Sequence, residues 1–145
     1  MFLMVRGLQA ADLIQPSAEF SPEDVIAIQL LGLQASDTND IQDGRGIEQV
    51  WLFAHPDNKA MTGPLPRFRG LFDNPAYGPL VNHVAHAVEV IDIDTRQARF
   101  LVKIQTQDGQ SLGYLWQLSR VQSGAEAGYW MTVSVSSPRI LGGAL

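Results

Sequence analysis

The chain changes hydrophobic period once, near Leu80. Upstream of it, apolar residues recur at helical spacing. Residues 25–33 read VIAIQLLGL, with Ile26, Leu30 and Leu33 on one side and Val25 and Ile28 widening the stripe. So wide a stripe predicts a helix largely covered by other elements. Ser21, Pro22 and Asp24 ahead of it supply a cap hydroxyl, a proline at the first helical position and an acid at the third, close to a capping box. Gly32 costs this helix about 1 kcal/mol relative to alanine, so another backbone is expected to pack closely there. Ile47, Val50, Trp51 and Ala54 predict a second helix, which His55-Pro56 ends because a residue before proline is pushed out of helical geometry. The string DNKAMTG reads as a turn. Pro64 then opens a third, shorter helix striped by Phe68, Leu71 and Phe72, flanked by Arg67 and Arg69 and stopped at Asn74-Pro75.

Downstream, apolar and polar residues alternate in four runs, at 83–93, 99–107, 112–120 and 129–136, separated by turn-forming strings. They predict an antiparallel meander. The middle hairpin fixes a register. A two-residue loop at Asp108-Gly109 would set Phe100 against Gln117 and mix the faces. A three-residue loop with Gly109 left-handed pairs Phe100 with Trp116, Val102 with Tyr114 and Ile104 with Leu112. A one-residue slip flips every side chain, so the apolar pattern selects the longer loop. The expected fold is α+β, with three N-terminal helices packed on a curved four-stranded antiparallel sheet. Its two edge strands make pairing of sheets in a homodimer one way of covering exposed surface.

At 145 residues the chain is most simply one domain, and folding at that size buries roughly 70% of the unfolded surface. The expected division is an N-terminal extension at 1–20, a domain at 21–137 and a C-terminal tail at 138–145. The extension reads either as a short docking helix or as a partly ordered segment. A net charge of −5 with only two lysines, Lys59 and Lys103, lacks the basic footprint for phosphate backbones, so nucleic acid is not an expected partner. The first ten residues place apolar groups before the first charge, the reverse of a secretory signal, and no apolar run approaches the ~20 residues that span a bilayer. A cytoplasmic protein without membrane contact is expected. The chain has no cysteine, which excludes thiolate chemistry and leaves the redox compartment open.

A set of short strings carries a resemblance. They are Pro22 and Val25 with Gln29, then Phe53-Ala54-His55-Pro56 with Asn58, Thr62-Gly63-Pro64, Arg67-Phe68, Pro75 with Tyr77, and Trp130-Met131-Thr132 with Ser134-Val135. Over about residues 21–137 the chain resembles an uncharacterised family, a domain of unknown function of bacteria and plants within the nuclear transport factor 2-like (cystatin-like) superfamily. The resemblance implies a cone of helices against a curved sheet, a pocket inside it, and a small residue at position 55, where this chain has His55. It implies no reaction, because that superfamily holds enzymes, binding modules and assembly domains on one scaffold.

No phosphate loop, HExxH, GxSxG or calcium loop is present, and no cofactor is expected. His83 and His86, three apart in a predicted strand, should point to opposite faces and could not share a metal. His86 shares an apolar face with Val84, Val88, Val90 and, at the strand end, Asp92. It reads either as a core histidine satisfied by a backbone or hydroxyl group or as a proton acceptor working near neutral pH. With Tyr114 as donor it would make the acid–base pair of an isomerase, dehydratase or hydrolase-type enzyme. Arg67 reads as an anchor for a ligand carboxylate or as an ion-pair pin for the proline-rich segment 53–77. The first expectation is a binding module for a small apolar ligand or a partner segment, using Trp51, Arg67, Tyr77, His86, Tyr114 and Trp116. The alternatives are the His86 enzyme and a structural homodimerisation domain.

Overall fold

The computed structural model describes residues 12–34 and 45–142. Most of the expected N-terminal extension, and the connector after α1, lie outside the described residues. The chain folds as α+β, with four α-helices, two 3-10 turns and an open antiparallel sheet among the described residues.

Helix α1, Pro22–Leu33, starts where its cap requires: the Ser21 hydroxyl accepts from the Asp24 amide and the Asp24 carboxylate accepts from the Ser21 amide. It buries Val25, Ile26, Gln29, Leu30 and Leu33. Helix α2, Arg45–Leu52, crosses it at the close approach that Gly32 predicts: a Cβ on Gly32 would lie 3.5 Å from the Gly46 carbonyl oxygen. The tighter position is Gly46, whose Cβ would stand 2.0 Å from the Gly32 carbonyl oxygen.

Two corrections follow. Helix α2 stops before Ala54, because the backbone at Phe53 and His55 leaves the helix to pair with the sheet: the Phe53 carbonyl accepts from the Thr132 amide (2.8 Å) and the His55 amide donates to the Thr132 carbonyl (2.8 Å). The expected turn DNKAMTG is instead helix α3, Pro56–Thr62, so the described residues hold four helices and not three. Pro56 opens α3 rather than only closing α2, and the His55 ring Nδ1 accepts from the Asp57 amide at its start. None of its residues is buried, so no apolar stripe marked it in the sequence. Helix α4, Leu65–Gly70, buries Phe68 and runs into the 3-10 turn Leu71–Asp73, as the third predicted helix anticipated. A second 3-10 turn, Gly78–Leu80, leads into the sheet.

The strands are β1 Ala85–Ile93, β2 Gln97–Gln105, β3 Ser111–Arg120, β4 Trp130–Val135 and β5 Arg139–Ile140, in the order β1-β2-β3-β4 with β5 paired to β3. Phe100 pairs with Trp116, Val102 with Tyr114 and Ile104 with Leu112, the predicted register. The loop closes between Thr106 and Gln110, leaving Gln107, Asp108 and Gly109 in it, with Gly109 at φ 87°. Two details depart from expectation. A bulge after Val90 sets Asp92 opposite Arg99 on the outer face and Ile93 opposite the buried Ala98, so Asp92 does not share a face with His86. The expected tail contributes β5, which pairs with the stretch of β3 at Leu112 and Gly113 that β4 is too short to cover.

One core joins α1, α2 and α4 to the inner faces of β2 and β3. Among the described residues, no helix is long and apolar enough to cross a membrane.

Candidate functional site

The core does not close completely. Between α3, α4, the turn after it and strands β3–β4 lies a cavity of about 430 Å³. Val50, Phe68, Leu71, Phe72, Leu80 and Trp116 form its apolar depth, and Val133 and Val135 form the β4 wall. Asp57, Asn58, Met61 and Thr62 line it from α3, and Tyr77 from the segment after α4.

Hydrogen bonds hold these walls apart at fixed spacing. The Tyr77 hydroxyl donates to the Val135 carbonyl (2.9 Å), and the Tyr114 hydroxyl donates to the Ala76 carbonyl (2.7 Å), so two phenols stitch residues 76–77 to the sheet. On the other side, the Asn58 side-chain amide donates to the Thr132 carbonyl (3.1 Å), and the Thr62 hydroxyl donates back to Asn58. Beneath the pocket, the buried Thr132 hydroxyl accepts from the Trp116 indole N–H (3.1 Å) and from the Gln29 side-chain amide (2.9 Å). Each buried polar group here has a partner, as a low-dielectric interior demands. The walls are therefore set by the fold and not by an occupant.

Of the residues expected at a ligand site, Tyr77 and Trp116 line this cavity. The other four lie elsewhere. The Trp51 ring packs on Phe68 (5.2 Å between centroids), with the Lys59 ammonium over it, and a Cβ on Gly63 would come within 2.5 Å of it. Trp51 thus staples the junction of α3 and α4. Arg67 is exposed; the ion pair tying this segment to α2 is made by Arg69 with Glu48. Tyr114 is fully buried beside the pocket and spends its hydroxyl on Ala76; burial, with the neighbouring Tyr77 adding to it, raises its phenol well above the ordinary range. His86 sits on β1, opposite Ile104, with the whole of β2 between it and β3. The structure does not bring His86 and Tyr114 together.

It does bring His83 and His86 together, contrary to expectation. His83 precedes β1, next to Asn82 at φ 63°, so strand alternation does not govern it. Its Nδ1 lies 2.8 Å from the Leu80 carbonyl oxygen, and its Nε2 lies 2.7 Å from His86 Nδ1. Burial lowers both imidazoles from their ordinary range, and His86 lowers His83 further, against the pull of the Leu80 carbonyl. Among the described residues, no three His, Cys, Asp or Glu side chains gather to hold a metal ion.

Sequence reasoning missed Asn58, Thr62, Leu71, Phe72 and the β4 wall as pocket residues. One signal was available. Phe68, Leu71 and Phe72 share a stripe, yet a six-residue helix seats only Phe68 in the core and leaves the other two for the cavity.

Compared with known proteins, the chain matches no family model, no curated protein and no solved structure.

Proposed function

We propose that this chain is a non-enzymatic binding module that takes a small apolar ligand between residues 57–80 and strands β3–β4. The observation that carries the reading is the cavity itself: about 430 Å³ with walls fixed by satisfied hydrogen bonds, within the ~300–1,000 Å³ typical of ligand pockets. Aromatic and aliphatic groups fill its depth, and Asp57, Asn58, Thr62 and Ser134 bring a few polar groups to its lining that orient a ligand. Helices packed on one face of an antiparallel sheet, with a pocket between, support a nuclear transport factor 2-like cone as the finer description of the fold. A cytoplasmic location belongs to the same proposal, and fractionation of cells expressing the full chain tests it. The His86–Tyr114 enzyme draws no support from a geometry that gives each residue a different partner.

The test is titration with a neutral, environment-sensitive naphthalene dye. Saturable binding to the folded chain is expected, lost in Val135→Trp, which fills the cavity, with little change in the denaturation midpoint. Undiminished binding by a folded Val135→Trp would overturn the reading.

A second reading rests on a different observation. Val88, Val90, Ile91 and Ile93 are exposed on the edge strand β1. The strand's carboxylates are already neutralised, Glu89 by Lys103 and Asp92 by Arg99, so no like-charge barrier opposes pairing with a second copy. A homodimer through β1 predicts a concentration-dependent mass in light scattering that Val90→Lys abolishes. A monomer at tens of micromolar counts decisively against it.

A further inference from the structure

We propose that His83 and His86 form a one-proton lock that ties the start of β1 to the segment before it and to the end of α1. The argument is a tautomer count. His83 Nδ1 faces a carbonyl oxygen, that of Leu80, so it must carry a proton. In a neutral ring that leaves His83 Nε2 as an acceptor, and His86 Nδ1, 2.7 Å away, must donate to it. The neutral pair is therefore Leu80 carbonyl, His83 protonated on Nδ1, and His86 protonated on Nδ1 with Nε2 bare. One added proton can be held: it enters at the bare His86 Nε2, and the proton shared by His83 Nε2 and His86 Nδ1 stays within their hydrogen bond. A second cannot, because two N–H groups would then meet head-on.

The pair sits where three elements are tied. Gln34, at the end of α1, bridges His83, and its side-chain amide donates to the Val84 carbonyl (2.8 Å). The Asn82 amide donates to the Leu33 carbonyl (2.7 Å), and the Gln107 side chain donates to the Asn82 carbonyl (3.2 Å). Among the described residues, few charges face the pair. From β2 the neighbours are Ile104, opposite His86, and Gln105, opposite Ala85, while Lys103 and Glu89 lie on the other sheet face and pair with each other. Asp108, on the β2–β3 turn, is engaged by Thr106. Among the described residues, no carboxylate is placed to stabilise a second proton.

The unfolded chain binds two protons on these rings below about pH 6.5, and the folded chain binds at most one. The folded state therefore binds fewer protons, and stability present above pH 6.5 is lost as the pH falls.

Two measurements on the full chain test this. Long-range proton–nitrogen correlation spectra at pH 8 should show both rings protonated on Nδ1, the minority tautomer for a free histidine. His86 found protonated on Nε2 at that pH overturns the lock. Denaturant unfolding of the natural chain and of His86→Leu, compared between pH 6.5 and 5, reads the proton count. Removing His86 should take about one proton, roughly a tenfold change in the unfolding constant per pH unit, out of the pH dependence. A merely structural role would weaken His86→Leu equally at every pH, and equal slopes overturn the proposal.

Discussion

Strands β1 and β2 lie side by side in one sheet, and their inward-facing residues meet opposite surroundings. On β2, Phe100, Val102 and Ile104 are 0% exposed, whereas on β1 Val88 is 39%, Val90 54% and Ile93 40% exposed. The cause is the extent of the helical layer. Helices α1, α2 and α4 share their core with β2 and β3, and among the described residues no β1 side chain belongs to it. Burial in a sheet thus depends on where the opposing layer ends, and an apolar face beyond that edge is free for another use. The cavity makes the same point from inside: α3 borders it without burying a residue of its own.

The largest effect separates the two strands directly. Phe100→Ala should cost about 3–5 kcal/mol, the range for deleting a buried aromatic ring. Val90→Ala, at its partner position in β1, should cost less than about 1 kcal/mol, as exposed substitutions do. Urea unfolding at low micromolar concentration measures both. Comparable losses would break the contrast and show that something covers β1 in solution.

A smaller effect probes how the covered half is tied to the pocket. Thr132→Val keeps the shape of the side chain and strips the hydroxyl from the Trp116 indole and the Gln29 amide, all three buried. Leaving those groups unsatisfied should cost about 1–3 kcal/mol. Ser134→Ala, two residues along and exposed, should fall within about 0.5 kcal/mol of the natural chain. If the two variants unfold at one midpoint, the hydrogen bonds beneath the cavity are not what sets its floor.

Much of this fold was legible from residue order. The α1 capping box, the close approach at Gly32 and the three-residue loop at Gln107, Asp108 and Gly109 all follow from local rules. What stayed hidden was set by tertiary partners or lacked a periodic signal. Helix α3 has no apolar stripe, β5 is two residues long, and the β1 bulge turns Asp92 to the outer face without any glycine to announce it. The site was legible only in part, because Tyr77 and Trp116 could be placed from the strand pattern and the cap segment. Asn58 and Thr62 reach the cavity through a helix that the sequence reads as a turn. His83 escaped strand alternation because Asn82 takes a left-handed conformation just before it.

The smallest effect on stability carries the most information about use. Met61 is 75% exposed, yet it lines the cavity from α3. It resembles the β1 valines in exposure and differs from them in standing over a hollow. Met61→Ala removes a flexible thioether that can fold over an apolar occupant. It should shift folding stability by no more than about 0.5 kcal/mol, because little of the side chain is buried to begin with. Dye affinity should nonetheless fall several-fold, since the methionine covers one side of the ligand. Val90→Ala makes the matched control: it removes a comparably exposed apolar group and should leave dye binding unchanged. Loss of affinity in both variants would place the dye on exposed apolar surface in general. Loss in Met61→Ala alone assigns it to the cavity and makes α3 a lid held by Asn58 and Trp51 rather than by a core of its own.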